Sequence, residues 1–428
     1  MLYSRAFSKL KPTDMDQQQL DTARKNVLEI FEAGVSRVKG FNAVADYLQQ
    51  HELTGNYYLV AVGKAASSMS LGALSIMKDQ IVSGLVITKH DHTEDELRTY
   101  VNITTMESDH PVPGESSLAA GKALIKFVQN VPADAKFLVL FSGGASSLME
   151  ELAEGMNLQK LSSLNKVLLS IGFDITQMNQ VRRAISHIKG GRLANFINGR
   201  ETIALLISDV PGDDPAVIGS GPLTPVDEDI NEIALPESIT SILEGVTFTP
   251  APSSELFNNI TTHVIATLDD AKDASKKRAL ALNFAVNTHP EFMEGNSEQK
   301  AAELCQYLKT AEAGIHIWGG ETSLMLPDNP GRGGRNQHLA AVAAREIAGS
   351  DDLVFLAAGT DGTDGPTPDA GGLVDGLTLE RGRARQLDID EFIKAADTGH
   401  YLEKTGDLVT TGPTGTNVMD LVVAFKSS

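Results

Sequence analysis

FLVLFSGGASSLME, residues 137–150, runs from an unbroken apolar stretch into two glycines and three serines. Its first half has the length and the aromatic and branched content of a strand buried on both faces. Gly143 and Gly144 then break the strand ahead of a helix start. Runs of the same kind occur at YYLVAV (57–62), GLVITK (84–89) and TIALLIS (202–208), separated by segments of helical periodicity. Short continuous strands alternating with helices predict an α/β fold whose parallel sheet is covered on both faces, with ligands at the carboxyl ends of the strands.

Outward from these strands, Thr13 or Asp14 is expected to cap an opening helix whose Leu20, Ala23, Val27, Phe31 and Val35 share one face. From Pro222 to about Glu255 the chain turns acidic and proline-bearing, which predicts a linker with one short helix. The domains are therefore expected at 1–235 and 236–428. Beyond the linker THVIAT, LNFAVN, GIHIWGG, LVFLAAG and LVVAF read as strands of a second α/β domain.

With 42% hydrophobic and 21% charged residues, the 428-residue chain has the composition of an ordinary globular protein. Its 56 acidic against 36 basic residues, a net charge of -20, argue against non-specific binding to nucleic acid or anionic membranes. An anionic ligand then needs a local basic pocket. The single cysteine, Cys305, excludes an internal disulfide framework and sits in a helical pattern that predicts a core position. The opening residues lack the apolar core of a secretory signal, and no uncharged apolar run reaches membrane-spanning length, so a cytoplasmic protein is expected.

Chemistry-bearing residues concentrate where strands end. YYLVAVGKAASSMS places Gly63 and Lys64 at a strand-to-helix turn, without the spacing of a Walker loop. Ser142, Gly143, Gly144, Ser146 and Ser147 offer backbone N–H groups and hydroxyls suited to a nucleotide's phosphates, although such turns also serve tight packing alone. QVRRAISHIKGGRLA adds Arg182, Arg183, His187, Lys189 and Arg192, with Lys189 beside Gly190 the member selected. Asp209 ends TIALLIS ahead of Asp213 and Asp214, and LVFLAAGTDGTDGPTPDAGGLVDG carries Asp361, Asp364, Asp369 and Asp375. Magnesium takes one or two carboxylates with phosphate oxygens and water, so Asp209 and Asp361 are candidate metal ligands. Gly412, Thr414 and Asn417 lie in a further glycine and hydroxyl loop. DNPGRGGRNQHLAAVAAREIAG (328–349) sets Arg332 and Arg335 among glycines before a helix, an arrangement that reads either as an anion site or as a solvated turn. Together these loops argue for phosphoryl transfer, which depends on positioning and charge neutralisation.

The ordered blocks AVGKAA, SDHPVPGESSLAAGKAL, LFSGGASSL, ITQMNQVRRAISHIKGGRLA, LISDVPGDDPAVIGSGP, GGETS, GRGGRNQ, AAGTDGTDGPTPDAGGLVDG and GDLVTTGPTGTNVMD resemble the glycerate 2-kinases with a C-terminal MOFRL domain. The resemblance extends over nearly the whole chain. It implies an N-terminal Rossmann-like domain, a second α/β domain with the MOFRL region at about 310–425, and an active site in the cleft between them. It also implies transfer of the γ-phosphoryl group of ATP to the 2-hydroxyl of D-glycerate, with Mg2+. Lys64 and Arg332 or Arg335 are the implied catalytic residues, with Asp209 the first candidate for base or metal ligand. Lys64, Glu321, Arg332, Arg335 and Asn336 are the implied substrate set, and Ser142, Gly143, Gly144, Ser146, Ser147, Lys189, Gly190, Gly412, Thr414 and Asn417 the nucleotide set. Homodimerisation is a further expectation. Relatives often carry SGGGSAL where this chain has SGGASSL, and Gly114 and ADTGHYLEKTGD also depart from the family pattern. The alternatives are a hydride-transferring hydroxypyruvate reductase, against which stands the lack of GxGxxG after a strand, and a non-catalytic anion-binding protein.

Overall fold

The computed structural model describes residues 17–170, 173, 175–226 and 235–427, so the Thr13 or Asp14 cap and positions 227–234 of the acidic stretch lie outside the described residues. There are two compact units. One holds Ser36–Asp270 with Pro413–Val418; the other holds the described residues through Val35, Ala271–Gly412 and those from Met419 onward.

The first unit is built on a six-stranded sheet of β1 (Tyr57–Val62), β2 (Ile81–Lys89), β3 (Ile103–Ser108), β4 (Lys136–Phe141), β5 (Thr202–Ile207) and β6 (Ile260–Ala266). The order is β3-β2-β1-β4-β5-β6 and every neighbouring pair is parallel. The chain steps outward from β1 to β3 and then returns to the other side of β1 with β4. This reversal is the topological switch point of a Rossmann sheet, outside whose carboxyl strand ends ligands bind. Val60, Val62, Phe137, Val139 and Phe141, each at most 1% exposed, pack with Ala120, Leu124 and Val128 of the helix Glu115–Gln129. Pairing of β1 with β4 from Tyr57↔Lys136 to Val62↔Phe141 brings both carboxyl ends level, so Gly63 and Ser142 leave the sheet side by side.

The expected boundary at 235/236 is corrected by β6. THVIAT pairs with β5 from Thr202↔Ile260, which makes it the sixth strand of the first sheet and carries that unit to Asp270. The acidic, proline-bearing stretch is thus an insertion between two neighbouring strands. Strand periodicity alone cannot show which sheet a strand joins.

The second unit has a mixed sheet of β7 (Val286–Met293), β8 (Gly314–Gly320), β9 (Leu353–Gly359), β10 (Gly371–Asp375), β11 (Leu408–Val409) and β12 (Asp420–Lys426), in the order β11-β10-β9-β12-β8-β7. Only the β7–β8 pair is parallel. The helix Arg335–Glu346 starts where expected, but it is buried along Asn336 to Ala344 rather than on one face. Its four alanines let Phe355, Ala357, Val422 and Ala424 of the sheet pack into the same core. Cys305 is also in this core, and burial pushes its thiol up to about 12. Among the described residues no helix is long and apolar enough to cross a membrane.

Candidate active site

At the switch point the turns after β1 and β4 are bonded to each other. Ser142 N donates to Val62 O at 3.1 Å, Lys64 N to Gly143 O at 2.9 Å, and Ala65 N to Ser142 Oγ at 3.0 Å. Ser142 is thereby a structural member of the loop, with its hydroxyl buried against Ala65. Gly143 lies so close to the Asp209 carboxylate and the Asn417 amide that any Cβ would collide with both. Gly144 adopts φ 83°, and a Cβ there would sit 2.9 Å from the His110 ring and 3.4 Å from the Lys64 side chain. Two side-chain-free positions are therefore ringed by Lys64, His110, Asp209 and Asn417. Asn417 Nδ2 donates to Asp209 Oδ2 at 3.2 Å, which orients the carboxylate beside the loop.

A second corner adjoins this loop. Gly190 N and Gly191 N donate to Ser220 O and Gly221 O at 2.9 and 2.7 Å, and the Ser146 and Ser220 hydroxyls are bonded at 2.9 Å. Lys189 is 5% exposed and its ammonium is paired with Glu150, which is 1% exposed. Ser186 Oγ donates to the other oxygen of Glu150 at 2.6 Å. The lysine selected from the sequence is thus already neutralised. A pocket of about 220 Å³ opens here, lined by Pro111, Gly144, Ser146, Ser147, Arg182 and Lys189 among others.

The remaining candidates belong to the mixed-sheet unit. Arg335 donates through Nε and Nη2 to the two oxygens of Asp420 at 2.6 and 3.0 Å, and pairs through Nη1 with Glu321 at 2.6 Å. Burial works against this charge, but Asp420 and Glu321 outweigh it and hold the guanidinium pKa above its ordinary value. Arg332 pairs with Asp369 at 2.5 Å and Glu403 at 2.7 Å. Each arginine therefore already faces two carboxylates. The helix start beside them is also closed, because the Asp364 carboxylate accepts from Asn336 N at 3.1 Å and Gln337 N at 2.7 Å. Of the two readings of this stretch, an anion site on the helix start meets a cap already supplied by a distant loop. Asn336 is 1% exposed and its side-chain amide has no hydrogen-bond partner among the described residues. Asp361 Oδ1 accepts from Thr363 N and Oγ1 at 2.9 and 3.0 Å.

Lys64, Ser142, Gly143, Gly144, Ser146, Ser147, Lys189, Gly190, Asp209, Thr414 and Asn417 thus belong to one unit, and Glu321, Arg332, Arg335, Asn336, Asp361 and Gly412 to the other. Among the described residues no three or more His, Cys, Asp or Glu side chains form a metal-binding group. Sequence reasoning gave no role to His110, Glu150 or Asp420. For His110 the available signal was its place in the quoted block SDHPVPGES; Glu150 and Asp420 are partners defined only by packing.

Residues 26–245 match the family described as domain of unknown function (DUF4147), and residues 314–420 match the MOFRL family. A D-glycerate 2-kinase of Thermotoga maritima is 34% identical, covering 95% of this chain and 99% of its own length. A glycerate 2-kinase of Pyrococcus horikoshii is 32% identical over 89% of each chain. The crystal structure of a glycerate kinase from Thermotoga maritima aligns with a TM-score of 0.83 at 32% identity, covering 95% of this chain and 100% of that one.

Proposed function

This chain belongs to the glycerate 2-kinase family that carries a MOFRL region, and from that premise we propose that it transfers the γ-phosphoryl group of ATP to the 2-hydroxyl of D-glycerate, giving 2-phosphoglycerate and ADP. The observation that carries this reading is the ring of Lys64, His110, Asp209 and Asn417 around Gly143 and Gly144 at the switch point of the sheet. Without a Cβ at either glycine, the loop backbone comes close enough to Lys64, His110, Asp209 and Asn417 for these side chains to converge beside it. Lys64 is tied to that loop through its own N–H and supplies the cation that neutralises the transferring phosphoryl group.

Asp209, oriented by Asn417, suits Mg2+, which binds one or two carboxylates together with phosphate oxygens and water. Bound there, Mg2+ would offset charge on the phosphates. Asp361, in the mixed-sheet unit, is a further proposed metal carboxylate, with Oδ1 accepting from Thr363. Arg335 is proposed as a second cation for the same turnover. Asp420 holds it through two bonds, while the Glu321 side chain, 45% exposed, is the partner that an incoming phosphoryl oxygen displaces. Arg332 braces its loop through Asp369 and Glu403, and Asn336 contributes an amide with unmet hydrogen-bonding capacity. A loose transition state releases the acceptor proton late, so little demand falls on an early base. Hydride transfer lacks its fingerprint, because β1 leads into GKAASS and not GxGxxG.

Lys64→Ala tests the assignment. Loss of one preorganised charge at the reacting centre is expected to lower kcat about 10²- to 10³-fold while circular dichroism stays that of the folded protein. Near-normal turnover in the folded variant would remove Lys64 from the chemistry.

A further inference from the structure

We propose that Arg182 recognises the carboxylate of the acceptor acid, in the pocket next to the Gly143–Gly144 loop. This inference rests on the kinase reading above and adds to it the residue that selects an acid over a neutral alcohol.

The pocket holds about 220 Å³ and is lined by Ser146, Ser147, Glu150, Asn165, Arg182 and Lys189 among others. That is smaller than the roughly 300–1,000 Å³ that encloses a drug-sized ligand. It suits a three-carbon acid and not a whole nucleotide. Two cations line it, but they differ in what they face. Lys189 is neutralised by Glu150, and Ser186 holds the second oxygen of that carboxylate. Arg182 has a neutral partner, its Nε donating to Asn165 Oδ1 at 3.1 Å, and no carboxylate pairs with it among the described residues. Burial depresses its guanidinium pKa, and an arginine so placed still keeps its charge.

Among the described residues the pocket therefore carries one positive charge that no carboxylate answers, which matches a monocarboxylate. With Nε held by Asn165, the terminal nitrogens present the paired N–H donors that a carboxylate accepts two at a time. Arg332 and Arg335, the other guanidiniums considered for this role, each face two carboxylates already. The hydroxyls of Ser146 and Ser147 are fixed at the pocket wall by Ser220 Oγ at 2.9 Å and Gly144 O at 3.0 Å, and offer partners to an acid's own hydroxyls. Gly144 lines the pocket and belongs to the proposed phosphate loop, so an acid held by Arg182 lies beside the group to be transferred.

The test compares wild type, Arg182→Gln and Arg182→Lys by steady-state kinetics and by calorimetric titration with D-glycerate in the absence of nucleotide. Removing a charged hydrogen-bonding partner is expected to raise KM and Kd for D-glycerate about 10- to 150-fold in Arg182→Gln. KM for ATP should not move. Arg182→Lys should fall between the two, since it keeps the charge and loses the fork. Glycerol, which lacks the carboxylate, should be a poor substrate of wild type, and its disadvantage relative to D-glycerate should shrink in Arg182→Gln. A folded Arg182→Gln with wild-type KM and Kd for D-glycerate, or a rise in KM for ATP alone, would overturn the assignment while wild-type turnover keeps the kinase reading. Wild type that neither binds nor phosphorylates D-glycerate would overturn both.

Discussion

Asp364 shows at the level of one side chain how this chain spends a buried carboxylate. It closes the start of the helix Arg335–Glu346 by accepting from two backbone N–H groups. Burial nevertheless pushes its pKa up to about 7, against the donors of Gln337 and Asn336 and with Asp420 raising it further. A carboxyl raised on folding binds its proton more tightly in the folded than in the unfolded state. Its share of stability is therefore complete below the unfolded value and is lost as pH rises through about 7. Asp364→Asn cannot titrate, so the melting temperature of wild type should fall relative to that variant between about pH 5 and about pH 8. Parallel curves for the two proteins would show that this group does not control the pH dependence. The sequence placed Asp364 among glycines and aspartates but could not show that it caps a helix starting nearly thirty positions earlier, because the cap is made by a loop folding back.

Among the elements, the turn after β4 is the one on which the proposed site most depends. Gly143→Ala would set a methyl group against Asp209 and Asn417, and the packed surroundings leave it nowhere to go. The loop must then shift, and a displacement near 1 Å at a reacting centre costs about 10²-fold in rate. The expected result is a fall of that order in kcat/KM, with the far-ultraviolet circular dichroism unchanged because β4 itself is intact. Wild-type kinetics would mean that the close approach at Gly143 has no role. The strand and its glycine turn were legible in the sequence as an apolar run ending in SGGASS, a pattern that fits both ligand binding and tight packing. β1, β2 and β5 were legible in the same way, as unbroken apolar runs. β3 was not, because ITTMES at the sheet edge is half-exposed and carries threonine and glutamate in place of an apolar run. β6 was visible as a strand, yet its pairing with β5 is a long-range fact that no local pattern states.

At the scale of the molecule, a chain of net charge -20 has to meet anionic substrates with local cations. The sequence displayed those cations without showing which are already answered. Lys189, Arg332 and Arg335 face carboxylates in the fold, whereas Arg182 faces an asparagine. Those partners are brought together by tertiary packing, which is why the site was readable as a set of loops but not as a set of roles. The central claim is the reaction itself. Phosphorus NMR of the products formed from ATP, Mg2+ and D-glycerate tests it most directly. The account predicts 2-phosphoglycerate appearing in step with ADP; formation of 3-phosphoglycerate would contradict the assigned hydroxyl, and absence of any phosphorylated acid would contradict the kinase activity.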